Sequence, residues 1–253
     1  MAQPSQLAIV VLPDPAALAE EAARRFEAAA TAAIAARGQF CVALAGGSTP
    51  ADLYRTLAGA GYRDRIDWRR VFVYFSDERC VPPDHPDSNY RMARETLLDH
   101  APLPRANVFR MAGELPPEEA ARLYTRILHE DLGQRNRRPR FDLILLGLGD
   151  DGHTASLFPG MAALNERRRP VVATDVPAYV RPAVARVTFT LPLLNAAVQI
   201  IFLATGAAKA AAVQAVLAGP APIVPLPAQR VQPRVGRVTW LLDEAAAAKL
   251  SPR

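Results

Sequence analysis

Short apolar runs recur along the chain, separated by stretches with helical spacing. Leu7–Leu12, Phe40–Ala45, Val71–Phe75, Phe141–Leu146, Val187–Thr190, Gln199–Ala204 and Arg237–Leu242 each read as a strand. Runs of this length without polar alternation suit strands covered on both faces, as in a parallel sheet between layers of helix. Helices are expected from just after Asp14 to about Arg37 and at about 50–60, 89–99, 117–135 and 207–218. Gly38 stops the first of them, and Asp243 caps a closing one. Proline-rich stretches at 101–104 and 219–233 read as loops, and no internal repeat is visible. The pattern predicts one domain over residues 1–253: an α/β fold with a single doubly wound, mostly parallel sheet and helices on both faces, Rossmann-like.

Such sheets bind ligands beyond the carboxyl ends of their strands. Three segments at those ends carry polar chemistry: 46–50, 76–91 and 147–160. In the first, Gly46 and Gly47 permit close backbone approach, Ser48 or Thr49 can cap the following helix, and Pro50 suits its first turn. Free N–H groups and the helix dipole there would form an anion pocket. It is not a Walker loop, because no Gly-Lys-Ser/Thr ending follows. Nor is it a nucleophile elbow, since Pro50 stands where the last glycine would be.

The second segment places Asp77, Glu78 and Arg79 directly after five large apolar residues, with Asp87 or Ser88 as a cap for the next helix. Charges leaving a buried strand must pair with one another or face a ligand. In the third, residues 147–152 match G-x-G-x-x-G literally. A dinucleotide site is rejected, because Asp150 and Asp151 would meet the pyrophosphate and Pro159-Gly160 would stop the helix after about two turns. What remains is a loop presenting Asp151 two residues before His153, where a carboxylate can orient an imidazole as general base, directly or through the backbone.

Composition narrows the classes. The chain has 253 residues, 50% hydrophobic, with 14 Gly and 23 Pro, which excludes collagen, coiled coil and bulk disorder. Cys41 and Cys80 form no CxxC and suggest reduced thiols rather than a disulfide framework. The N-terminus lacks a basic n-region and no stretch is long enough to span a bilayer, so a cytoplasmic protein without membrane contact is expected. The net charge of +5 rests on arginine: all but Lys209 and Lys249 of the 30 basic residues are Arg. The clusters at 135–140 and 167–169 lack aromatic interleaving and any recognition module, so nucleic acid is not the expected partner. Four scattered histidines lack metal-ligand spacing, and Ser156 has no elbow around it.

Taken together, Gly46–Pro50, Ser76–Arg79 with Val81-Pro82 and Asp87–Asn89, and above all Asp151–Gly160 resemble the 6-phosphogluconolactonase family of bacterial type. Arg186–Thr190, Ala204–Lys209 and Pro227–Asp243 continue the resemblance in order along nearly the whole chain. The resemblance implies hydrolysis of a phosphosugar lactone, 6-phospho-D-glucono-1,5-lactone, in the oxidative pentose phosphate pathway, with no cofactor and no metal. It implies His153, Asp151 and Arg79 as catalytic residues. Gly46, Gly47, Ser48, Thr49, Asp77, Asn89, Arg186 and Lys209 would bind substrate, in a monomer or weak homo-oligomer.

Glucosamine-6-phosphate deaminases share the fold and are the chief alternative. They resemble Asp-Glu-Tyr where this chain has Asp77-Glu78-Arg79, and they place a functional glutamate where this chain has Phe158. A non-enzymatic phosphosugar-sensing domain of a regulator is a third reading. It needs a DNA-binding helix-turn-helix, for which the strand beginning at Leu7 leaves no room.

Overall fold

A computed structural model describes residues 6–133, 140–219, 225–233 and 235–250. Most of the arginine cluster at 135–140 and part of the proline-rich stretch at 219–233 lie outside them. Among the described residues the strands are β1 (Gln6–Leu12), β2 (Phe40–Leu44), β3 (Val71–Phe75), β4 (Asp77–Arg79) and β5 (Leu143–Gly147), then β6 (Val171–Thr174), β7 (Arg186–Phe189), β8 (Gln199–Ala204) and β9 (Arg237–Asp243). Six of them form an all-parallel sheet in the order β1-β9-β8-β5-β2-β3.

Side chains alternate between the two faces, and both faces are buried. On β5, Leu143 and Leu145 enter one core while Ile144 and Leu146 enter the other; β8 divides Ile201 and Leu203 from Ile200 and Phe202 in the same way. The first core is closed by α1 (Pro15–Arg37) and α2 (Ser48–Ala58). Helix α1 begins where Asp14 accepts the Ala17 N–H at 2.8 Å and ends where Gly38, at φ 75°, donates back to Ile34. Its buried face is mostly alanine, which lets the helix lie close to the sheet. Leu18 and Phe26 are the exceptions, Phe26 edge-on to Phe40 at 5.2 Å; truncating such a ring costs about 3–5 kcal/mol.

The mostly parallel sheet is present as the apolar pattern predicts, but a second small sheet accompanies it. Strands β4, β7 and β6 pair antiparallel, so the run at Val187–Thr190 lies outside the parallel sheet. No helix follows Gly152: the chain turns through a single bridge between Thr154 and Leu157 instead. The helices expected near 89–99 and 117–135 are Asn89–Ala93 and Pro117–Ile127, each continued by a π-helical turn, Arg94–Leu98 and Leu128–Leu132. Among the described residues no helix is long and apolar enough to cross a membrane.

One topological detail positions the site. From β2 the chain moves outward to β3 and then returns to the other side of β2 as β5, which pairs with it through Val42–Leu143 and Ala43–Ile144. The loops leaving β2 and β5 therefore part in opposite directions, opening a crevice at their carboxyl ends.

Candidate active site

A cleft of about 270 Å³ occupies that crevice. Gly46 and Gly47 line it from the β2 loop, Asp77, Arg79 and Asn89 from the β4 side, and Gly149 and His153 from the β5 loop; Lys209 lies across from them. Ser48, Thr49, Asp151 and Arg186 stand outside this lining.

The imidazole is fixed from several directions. Asp151 Oδ1 accepts from the His153 backbone N–H at 3.0 Å and lies 2.6 Å from its Nδ1. Both routes open to a carboxylate, direct and through the backbone, are thus used. A carboxylate at that distance holds the proton on Nδ1 and leaves Nε2 as the basic atom. Phe158, fully buried, packs against the ring at 4.5 Å between centroids. Gly149 supplies the room: a Cβ there would stand 2.0 Å from His153 Nδ1. Tyr179 donates to the other Asp151 oxygen at 2.7 Å. Burial alone would raise the Asp151 carboxyl, but the hydrogen bonds from His153 and Tyr179 outweigh it and hold the group well below the usual carboxylate range. The same hydrogen bond, with partial burial, pushes the Tyr179 phenol up to about 12.

The charged triplet after β3 divides its labour. Glu78, buried, accepts the backbone N–H groups of Arg79, Asn89 and Tyr90 at 2.7–2.8 Å, and so closes the N-terminus of the helix that starts at Asn89. Ser88 completes that cap by accepting from the Arg91 N–H. Asp77 accepts from the Ser156 hydroxyl at 2.7 Å and from the Asn89 amide, whose carbonyl end sits where a Gly46 Cβ would come within 1.9 Å. Ser156 is buried and holds Asp77, which agrees with its exclusion as a nucleophile.

Arg79 is left facing the cleft. It stands directly opposite Arg186 in the β4–β7 ladder, so two guanidiniums share one face of the small sheet. Arg186 is buried behind it, bonded through Nη2 to the Pro182 carbonyl at 3.0 Å. Arg186 Nη1 and Arg79 Nε are buried without any hydrogen-bond partner, and among the described residues neither arginine meets a carboxylate within ion-pair distance. Burial, and then Arg79, pull the Arg186 pKa below its ordinary value. A pair of this kind has the charge and the spare donors to hold an anion.

At the β2 loop, Ser48 and Thr49 do not cap α2. The N-cap is Gly47, without a side-chain bond, and Thr49 Oγ1 meets Thr205 Oγ1 at 2.7 Å. The first N–H groups of α2 thereby keep their capacity to bind an anion. Lys209 Nζ is held by Asp150 at 2.7 Å. Tyr179, Asp150 and Gly149 were not picked out as site residues by sequence reasoning. Gly149 and Asp150 carried a signal as members of the glycine-shaped loop before His153, and Tyr179 carried none.

Fold and site together define an α/β enzyme with a cleft lined by Arg79 and Lys209 and a carboxylate-held histidine at a topological switch point. The family model described as "Glucosamine-6-phosphate isomerases/6-phosphogluconolactonase" matches residues 13–240, and the chain belongs to that family. It is 44% identical over 241 residues to the 6-phosphogluconolactonase of Homo sapiens, covering 93% of this chain and 89% of that one. It is 43% identical over 224 residues to that of Synechocystis sp., covering 88% and 89%. Among solved structures, 6-phosphogluconolactonase from Trypanosoma brucei superposes with a TM-score of 0.86 at 33% identity, covering 99% of this chain and 100% of that one.

Proposed function

We propose that the chain hydrolyses 6-phospho-D-glucono-1,5-lactone to 6-phospho-D-gluconate, with His153 as general base. The observation that carries the assignment is the Asp151-held imidazole, its Nε2 left basic, at a cleft flanked by Arg79 and Lys209. His153 takes a proton from water, and the resulting hydroxide adds to the lactone carbonyl. The tetrahedral oxyanion collapses with cleavage of the bond to the ring oxygen, and the imidazolium returns its proton to that oxygen. The product acid then ionises, releasing one proton per turnover. Asp151 stabilises the imidazolium, and Tyr179 fixes Asp151.

The substrate phosphate rests on the N–H groups of Gly47, Ser48 and Thr49 at the start of α2, with Lys209 beside it. Arg79 faces the substrate, and Arg186 acts through space from behind. Phe158 stands against the imidazole where a deaminase of the same fold would need a proton-exchanging glutamate, and a phenyl ring exchanges none. The test is acid release from freshly made lactone above the uncatalysed rate, with a parallel ammonia assay on glucosamine 6-phosphate. His153→Ala should lower kcat at least 10²-fold while product still binds; unchanged turnover, or ammonia release, overturns the assignment.

A further inference from the structure

The loop leaving β5 makes a tight turn at residues 149–152, closed by the Gly152 N–H donating to the Gly149 carbonyl at 3.0 Å. Asp150 and Asp151 occupy its central positions and send their carboxylates to different partners. Asp151 takes His153. Asp150 takes Lys209, Oδ1 to Nζ at 2.7 Å, across 59 positions of sequence. That ion pair is the one polar contact of the Asp150 side chain among the described residues, and the turn closes without it. Lys209 lines the catalytic cleft and Asp150 does not, so the carboxylate meets the ammonium from outside the lining. A lysine ammonium has more donors than this one bond uses, and the rest stay available to a ligand.

The backbone that carries Lys209 is braced as well. Thr205 Oγ1 meets Thr49 Oγ1 at 2.7 Å, and the Gly206 N–H reaches both Asp243 oxygens at 2.9 and 3.0 Å. What freedom remains belongs to the long Lys209 side chain, and holding a lysine in one geometry costs rotamer entropy. With Asp150 as its partner, that ordering precedes the ligand. The Asp150 side chain is 77% exposed, so water screens its repulsion of an anion in the cleft, while the hydrogen bond to Lys209 acts at contact. We propose that Asp150 is a positioning residue for the phosphate end of the substrate: it holds the Lys209 ammonium on the cleft wall, so that a phosphate ester meets a donor already in place. The proposal rests on the lactonase reading of this cleft and adds to it a residue that touches neither substrate nor reacting atoms.

The experiment compares the full chain with Asp150→Ala, Lys209→Ala and the double variant. Calorimetric titration of 6-phosphogluconate reads the tether directly, and acid release from the lactone reads kcat and KM. A parent that binds 6-phosphogluconate without turning over the lactone refutes the proposed function and still tests Asp150; a parent that binds none overturns both. Asp150→Ala should weaken 6-phosphogluconate and raise KM together by about three- to tenfold, the loss expected when one long side chain must be ordered on binding. Its kcat should stay within about twofold of the parent's, because the bond between Asp151 and His153 is untouched. In the Lys209→Ala background, Asp150→Ala should change binding by less than about twofold, since the two residues act as one unit. Tighter binding in Asp150→Ala would mean that the carboxylate competes with the phosphate. A fall in kcat with KM unchanged would mean that it acts through Asp151 and His153, and an equal loss with and without Lys209 would mean a general effect on the loop. Any of these, or unchanged binding, overturns the proposal.

Discussion

Asp151→Asn separates the carboxylate's charge from its shape. An asparagine in the same rotamer can accept from both His153 donors and turn its amide toward Tyr179, so the geometry at 2.6 and 3.0 Å can persist without the charge. The lost term is the attraction between carboxylate and imidazolium, about 4 kcal/mol for charges roughly 4 Å apart at an effective dielectric near 20. The pair is partly open to water, with side chains 21% and 27% exposed, so about half of that, ~2 kcal/mol, is the realistic share. It corresponds to a fall in kcat of about 30-fold. If the amide instead presents its NH₂ to Nδ1, the proton moves to Nε2, the base is lost, and the fall approaches 10⁴-fold, as it does when an aspartate orienting a histidine is replaced in serine proteases. KM should change little, because Asp151 does not line the cleft. Proton release followed with an indicator dye gives both constants. A kcat within threefold of the parent, or an effect confined to KM, refutes the role given to the pair. Stability supplies a control with a definite sign. A carboxyl held below its unfolded value contributes stability above about pH 4, which is lost as the pH falls further. The melting temperatures of parent and variant should therefore differ at pH 7 and approach each other in acid.

Tyr179→Phe removes one hydrogen bond to a charged but partly solvated acceptor, worth about 1–2 kcal/mol. Turnover should fall by less than the Asn variant's loss, with KM little changed; a kcat equal to the parent's argues against positioning. Asp150, Lys209 and Arg79, which also bear charge near His153, are unaltered by that substitution and serve as the constant background. Gly149→Ala would put a methyl 2.0 Å from His153 Nδ1. Displacing the imidazole by even about 1 Å should cost about 10²-fold in kcat, with a cooperative thermal transition retained; wild-type activity would mean the ring has other room. Burial pushes the Cys80 thiol up to about 11 even though Arg186 opposes the shift, and Cys41 is fully buried. Alkylation at pH 8 should be slow for both, and a rapid stoichiometric reaction with iodoacetamide would contradict that environment.

The parallel sheet was legible because burial on both faces leaves an unbroken apolar run, and β3 and β8 coincide with the runs at Val71–Phe75 and Gln199–Ala204. The small sheet was not. Strand β4 is Asp-Glu-Arg, with no apolar residue, and it forms because β7 offers it a ladder. Strand β6 spans four residues after an arginine cluster and carries no period of its own. The same limit governs the site. Asp151 and His153 stand two apart in one glycine-shaped loop, so their partnership could be read locally. Tyr179 reaches Asp151 from 28 positions away out of a loop between β6 and β7, and only the folded chain puts it there. The caps expected at Ser48 and Thr49 failed for a related reason: Thr205, remote in sequence, takes the Thr49 hydroxyl, and Gly47 occupies the cap position.

The antiparallel ladder explains why a separate small sheet is worth building. Like charges directly opposite one another across two strands destabilise the pair, and burying one of them adds to the cost. Yet Arg79 and Arg186 meet in that arrangement, with donors left over on both. The surrounding contacts impose it: Glu78 fixes β4 through its backbone bonds, Arg79 Nη1 is tied to the Asp87 carbonyl at 2.6 Å, and Arg186 Nη2 to Pro182. The guanidiniums cannot swing apart to water without breaking those contacts, so their repulsion persists in the unliganded protein. A dianionic phosphosugar entering the cleft would offset that repulsion, and part of the resulting binding energy comes from strain already present rather than from new contacts alone. The +5 net charge of the chain is therefore a poor guide to what it binds. On the proposed function, the charge that bears on binding is Arg79 of β4 held opposite Arg186 of β7.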